Sequence, residues 1–302
     1  MMSVIEVHNL TKRYEFGKGR FDVNFNVDRG EVVGFLGPNG AGKSTTMRHL
    51  MGFSIPDEGS ASINNHDCSK EYYITKQNIG YLPGEPTLPQ GLDGKAFVKM
   101  MEGLKGCHNE ERVKELCKRF ELDLNQDIKK MSIGERRKLA IVTAFMSDPD
   151  VLLLDEPTSG LDPRMQEIFI EFIEEEKKRG KTIILSSHIF REVERLCDRI
   201  MIIKDGRIVA SVNKDDIASN LKKTFMIKFL DLDSYERFSS LNYEFKEKIR
   251  SKLLVSFYIE NDDIDSLIKT LKGYKVLSFT DVSLSLEDYF MKFYKNRGED
   301  VD

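Results

Sequence analysis

Nine consecutive residues, Gly37-Pro38-Asn39-Gly40-Ala41-Gly42-Lys43-Ser44-Thr45, fit the pattern G-x-x-x-x-G-K-[ST], with Gly37, Gly42, Lys43 and Ser44 at its defining positions. Glycines permit the backbone angles that turn successive N–H groups inward, onto phosphate oxygens. A helix opening behind the loop adds the partial positive charge of its N-terminus. Lys43 would then bridge the β- and γ-phosphates of a nucleotide, and the Ser44 hydroxyl would ligate Mg²⁺. The pattern carries this meaning between a buried strand and a helix; elsewhere it is a glycine-rich turn. Here Val32-Val33-Gly34-Phe35-Leu36 precedes it as a continuous apolar run, and Lys43 to Gly52 reads as a helix.

The elements that must hold such a loop follow along the chain. Val4 to Val7 and Asp22 to Val27 read as strands, the second with polar and apolar residues alternating. Val151 to Leu154 and Thr182 to Leu185 are further buried-strand runs. Between them Met165, Ile168, Phe169, Phe172 and Ile173 recur at helical spacing, and the run from Glu174 to Arg179 reads as a solvated helix end. Ile189, Val193, Leu196, Cys197 and Ile200 mark another amphipathic helix, and Ile200 to Val209 a hairpin turning at Asp205-Gly206. Strands alternating with helices predict a mainly parallel sheet covered on both faces. The stretch from Gly84 to Met131 is helical and predicts a separate lobe.

After Lys222 the pattern changes. Thr224–Phe229, Tyr243–Ile249, Leu253–Ile259 and Tyr274–Phe279 read as strands, with helices at Ser234–Leu241 and Ile264–Leu271. That β-α-β-β-α-β order predicts a small split βαβ, ferredoxin-like domain. A last helix is expected at Leu286–Tyr294.

Two further motifs narrow the nucleotide chemistry. Met131-Ser132-Ile133-Gly134-Glu135 is followed about twenty residues later by Leu152-Leu153-Leu154-Asp155-Glu156-Pro157-Thr158-Ser159-Gly160-Leu161-Asp162-Pro163, and Ser187-His188 closes the strand begun at Thr182. With the phosphate loop, these resemble the ATP-binding cassette (ABC) family, the nucleotide-binding subunits of ABC transporters, over Val4 to Val212. Ser132 and Gly134, with Glu135, occupy its signature motif, although Ile133 and Glu135 depart from the commonest Leu-Ser-Gly-Gly-Gln form. Ser159, Gly160, Leu161 and Asp162 occupy its D-loop.

The resemblance implies ATP and Mg²⁺ as cofactors, with Asp155 and Ser44 toward Mg²⁺. Glu156 is implied as the base that takes a proton from the attacking water, and His188 as the residue at the γ-phosphate that helps orient it. Tyr14 resembles the residue that stacks on adenine; packing is the other reading of its ring, and Phe16 the fallback. In the family two subunits sandwich two ATP molecules, so that the signature of one meets the γ-phosphate held by the other.

One departure falls at a position where many relatives place a glutamine that touches Mg²⁺ and senses the permease. In Ile79-Gly80-Tyr81-Leu82-Pro83-Gly84-Glu85-Pro86 the aligned residue is Gly84, and Glu85 is a possible substitute.

The expectation is therefore an α/β P-loop NTPase (ABC ATPase) over residues 1–222, with an antiparallel β subdomain and a helical lobe, and a small α+β accessory domain over 223–302. The expected function is an ATPase subunit working as a homodimer or pseudo-dimer on a separate permease, with ABC-2 type exporters the nearest subgroup. Peripheral placement on the inner face of the membrane follows from that, since no apolar run is long enough to span a bilayer and no signal-peptide pattern opens the chain. The accessory domain is expected to serve dimer contact or regulation. A soluble ABC ATPase and a nucleotide-responsive regulator are the alternatives; one phosphate loop and the absence of a sustained heptad array weigh against the first, and Glu156 against the second. A net charge of -4 over 302 residues argues against a nucleic-acid partner. Four scattered cysteines, Cys68, Cys107, Cys117 and Cys197, form no metal-binding spacing, and Cys117 and Cys197 fall on apolar helix positions.

Overall fold

In a computed structural model of the chain, the residues described are 2–14, 19–214, 223–259 and 264–282, with 287, 290 and 291. The chain divides into two units, Met1–Lys214 and Asp215–Asp302.

The first unit is built on two sheets. Strands β1 (Ser3–Arg13), β2 (Gly19–Asp28), β4 (Glu58–Ile63) and β5 (His66–Asp67) form an antiparallel sheet in the order β2-β1-β4-β5. β3 (Val32–Leu36), β6 (Ile79–Leu82), β7 (Val151–Asp155), β8 (Thr182–Ser187), β9 (Arg199–Lys204) and β10 (Arg207–Asn213) form the second, ordered β10-β9-β3-β8-β7-β6. Its strands are parallel from β6 to β9, and only β10 returns antiparallel, through Asp205-Gly206. Both turn residues have positive φ, 48° and 77°, as a tight hairpin of this hand needs. Every residue of β3, β7 and β8 is buried. This is why those runs read as continuously apolar instead of alternating.

Helix α1 (Lys43–Leu50) follows β3, and the short α2 (Tyr72–Thr75) precedes β6. Between β6 and β7 lie α3 (Gly94–Lys105), α4 (Glu110–Arg119) and α5 (Ile133–Phe145), the helical lobe. α6 (Pro163–Lys178) and α7 (Phe190–Leu196) connect β7 to β8 and β8 to β9. Phe120, Phe145, Phe169 and Phe172 join the helical lobe to α6, with the Phe145 and Phe172 rings 4.9 Å apart and tilted edge to face. The end of α6 differs from the solvated end expected. Glu176 is buried there, its carboxylate bonded to Arg112 on α4 at 2.5 Å and to Arg179 at 2.8 Å. A charge run at a helix end thus conceals one acid that anchors the neighbouring lobe.

The second unit has strands β11 (Lys223–Phe229), β12 (Glu244–Ile249), β13 (Leu254–Ile259) and β14 (Val276–Asp281), all paired antiparallel in the order β12-β13-β11-β14. Helices α8 (Leu232–Ser239) and α9 (Ile264–Leu271) complete the β-α-β-β-α-β order. Phe225, Ile227, Phe229, Phe238, Val255, Phe257 and Leu267 make a core of its own. The helix expected at Leu286–Tyr294 lies, but for three residues, outside those described.

Candidate functional site

β3 lies between β8 and β9, and the strands from β6 to β9 point the same way. The loops at their carboxyl ends therefore gather on one edge of the sheet, where open α/β sheets bind ligands. One cavity there is lined by Asn39, Gly40, Gly42, Lys43, Ser44 and Thr45 after β3 and by Pro83, Gly84 and Glu85 after β6. Asp155, Glu156 and Ser159 line it from the end of β7, and His188 from the end of β8.

The loop's glycines are used for two different reasons. Gly42 caps α1 with φ at 104°, in the left-handed region where a side chain is strained. A Cβ on Gly37 would stand 2.4 Å from the Ile203 carbonyl oxygen, so the loop passes β9 too closely for any side chain. Lys43 is buried, and its Nζ donates to the Gly37 and Pro38 carbonyls at 2.7 and 3.3 Å. The same ammonium lies 3.3 Å from Glu156 Oε1.

Asp155 and Glu156 are neighbours that face different surroundings. Asp155 is buried, and its Oδ1 accepts the Ser186 hydroxyl at 2.5 Å. Glu156 follows with φ at 45° and its N–H on the Ser186 carbonyl at 3.1 Å. That left-handed turn sends its carboxylate into the cavity. Oε2 sits 2.6 Å from His188 Nδ1, while Oε1 accepts no hydrogen bond. Neither acid caps a helix; Asp162 caps α6, accepting the Met165 N–H at 3.0 Å.

Ser132 and Glu135 form a capping box at the start of α5. The Ser132 Oγ accepts the Glu135 N–H at 3.2 Å, and the Glu135 carboxylate accepts the Ser132 N–H at 2.8 Å. That N–H, with the Ser132 hydroxyl, holds the Glu135 carboxyl below its ordinary range. Neither Ser132, Gly134 nor Glu135 lines the cavity. Their neighbour is the D-loop: a Cβ on Gly134 would lie 3.3 Å from the Gly160 carbonyl. Leu161 is buried beside it. Tyr14, at the end of β1, is about half exposed and does not line the cavity; Phe16 is outside the described residues.

Two side chains that sequence reasoning passed over brace the site. Ser186 holds Asp155 and the Glu156 backbone together. Glu192 on α7 is buried, and its carboxylate accepts the Thr158 hydroxyl and, at 2.7 Å, the Ser187 hydroxyl. It ties the chain after Glu156 to the residue before His188. Its position on the same stripe as Ile189, Val193 and Leu196 was the available signal. Of the cysteines, Cys197 is buried, and burial pushes its thiol up; Cys117 is half-buried.

The oxygen donors present suit Mg²⁺. Ser44 and Asp155 line one cavity, and a magnesium ion needs only one or two protein oxygens beside phosphate and water. Among the described residues no cluster of three or more His, Cys, Asp or Glu forms an all-protein metal cage.

Residues 21–159 match the family model described as ABC transporter. The chain is 37% identical over 220 residues to ABC transporter ATP-binding protein NatA of Bacillus subtilis, covering 69% of this chain and 89% of that one. It is 31% identical to Nod factor export ATP-binding protein I of Burkholderia orbicola, over 95% of this chain and 96% of the relative. A solved dimeric ATP-binding cassette in a post-hydrolysis state, bound to ADP and Pi, matches with a TM-score of 0.64 and 26% identity, covering 70% of this chain and 98% of that one. With the Gly37–Thr45 loop at the end of β3 and Asp155 and Glu156 at the end of β7 on one parallel sheet, the chain belongs to the ABC transporter family, as an ATP-binding, ATP-hydrolysing subunit.

Proposed function

We propose that the loop from Gly37 to Thr45 holds the ATP phosphates, that Glu156 is the general base, and that turnover drives a separate permease. The observation that carries the reading is the seat of Glu156. Its carboxylate stands between Lys43 and His188 at the mouth of the phosphate loop, with Oε1 accepting no hydrogen bond. A water between Glu156 and the γ-phosphate would give its proton to that carboxylate as its oxygen bonds to phosphorus. The bond from phosphorus to the β-phosphate oxygen breaks, and ADP leaves with that electron pair. His188, hydrogen-bonded to Glu156 here, and Lys43, in an ion pair with it, are the groups that phosphate oxygens would compete for. Mg²⁺, held by Ser44 and Asp155, would supply charge neutralisation at the phosphates.

The signature Ser132 and Gly134 would act on the ATP of a partner subunit, with the N-terminus of α5 directed at its γ-phosphate. Their position away from the chain's own cavity supports that division. Tyr14 remains the candidate for adenine. For the permease, the exposed rings of Phe53, Tyr72 and Tyr73 beside Leu104 on α3 offer an apolar docking surface. No helix among the described residues is long and apolar enough to cross a membrane, so attachment to the inner face would run through that partner. Export as the direction is supported by the similarity to a Nod factor export subunit.

Glu156→Gln tests the core of this. Turnover is expected to fall about 10²- to 10⁴-fold while ATP still binds, measured by steady-state hydrolysis and equilibrium dialysis. Turnover equal to wild type would remove Glu156 from the role of base.

A further inference from the structure

Arg137, on the second turn of α5, is among the largest fully buried side chains, at 1% exposure. Its guanidinium has five N–H groups. Nε donates to the Pro157 carbonyl at 2.9 Å, and Nη1 to those of Pro83 and Gly84 at 2.5 and 3.0 Å. Nη2 donates to the Asp155 carbonyl at 3.1 Å and to that of Glu156. The five donors thus match five main-chain carbonyls, and none is spent on a carboxylate. A buried cation ordinarily pairs with an acid. Here carbonyl dipoles take that place, with the Asp155 and Glu156 carboxylates near. Burial lowers the guanidinium pKa to about 10, and those two carboxylates oppose the shift, so it remains charged at neutral pH.

Three segments meet on this group: the helix behind the signature, the Asp155-Glu156-Pro157 stretch, and Pro83-Gly84 at the entry to the helical lobe. At Gly84 there is no side chain to make a link, and a Cβ would already lie 3.3 Å from Asp155 Oδ2. The main chain is the only part of that residue able to communicate.

We propose that Arg137 is a positioning residue for hydrolysis, clamping the carbonyls around Glu156 to those of Pro83 and Gly84. A shift of the Pro83-Gly84 segment then moves the backbone that aims the Glu156 carboxylate, with no side chain at position 84 required. The inference rests on Glu156 as base, which Glu156→Gln tests separately. The planar five-donor fork is specific to arginine; lysine brings three donors from one point, and glutamine two.

The experiment compares the purified full chain with Arg137→Lys and Arg137→Gln, reading kcat, ATP affinity and thermal melting. The expected result is a kcat lowered at least about tenfold in Arg137→Lys and further in Arg137→Gln, with ATP affinity within about twofold of wild type. A purely structural role would lower the folded fraction and with it the stoichiometry of ATP binding, leaving kcat per ATP-binding site near wild type. The proposal is overturned by an Arg137→Lys kcat, counted per ATP-binding site, within about twofold of wild type, by kcat and affinity falling in parallel, or by failure of both variants to melt cooperatively.

Discussion

Asp155 and Glu156 carry the same charged group, and the backbone between them assigns the work. The first ends a fully buried strand and is fixed by Ser186; the second turns left-handed and opens to the cavity. Gly84 stands against Asp155 and has no side chain to offer a ligand, while Glu85, exposed on the same cavity, would reach the proposed Mg²⁺ only with added negative charge. If Glu85 takes up the missing glutamine's contact, Glu85→Ala weakens the magnesium dependence of hydrolysis, shifting the half-saturating concentration upward by several-fold. An unchanged magnesium titration rejects that substitution of roles. The Gly37–Thr45 loop, both acids and His188, which line one cavity, were legible as types at fixed spacing, because each sits at a strand end. Ser186 and Arg137 were not, and Glu192 only through its place on the apolar stripe of α7. The partners lie 18 to 54 residues away for Arg137 and 31 for Ser186, and Glu192 joins Ser187, five residues before it, to Thr158, 34 before it.

Among the elements, β3 shows how tightly the scaffold under the loop is built. A Cβ on Gly34 would meet Cys197 Sγ at 2.7 Å and Val193 Cγ1 at 2.9 Å, both on the α7 side of the sheet. Gly34→Ala should therefore destabilise the first unit by about 1–3 kcal/mol through overpacking, read from denaturant unfolding. Neutral stability in that variant would show that α7 yields to the added methyl. The central strands were legible because burial on both faces leaves an unbroken apolar run. β1 was read short, as Val4 to Val7, because Asn9 at φ 47° and the register shifts beside it break the two-residue alternation. β4, Glu58-Gly-Ser-Ala-Ser-Ile63, has too few apolar residues to announce a strand; pairing with β1 makes it one. In the second unit the order of elements was legible and the ends moved by a few residues, as expected where fraying and caps decide them.

For the whole molecule, the division of the proposed catalytic parts has a kinetic consequence. Lys43, Glu156 and His188 share a cavity from which Ser132 and Gly134 are missing, and a related cassette is dimeric with ADP and Pi bound. ATPase activity should rise faster than linearly with protein concentration until dimers saturate, measured by hydrolysis across a dilution series. Strict proportionality from a proven monomer would sink the shared-site mechanism. The left-handed backbone at Glu156 sets stability against chemistry in the proposed mechanism. A non-glycine residue at φ 45° costs on the order of 1 kcal/mol in every folded copy, active or idle. Glycine at that position would relax the turn and abolish the carboxylate. On the proposed reading, Glu156→Gly would leave a more relaxed turn and no base, so stability and turnover pull against each other at this one position.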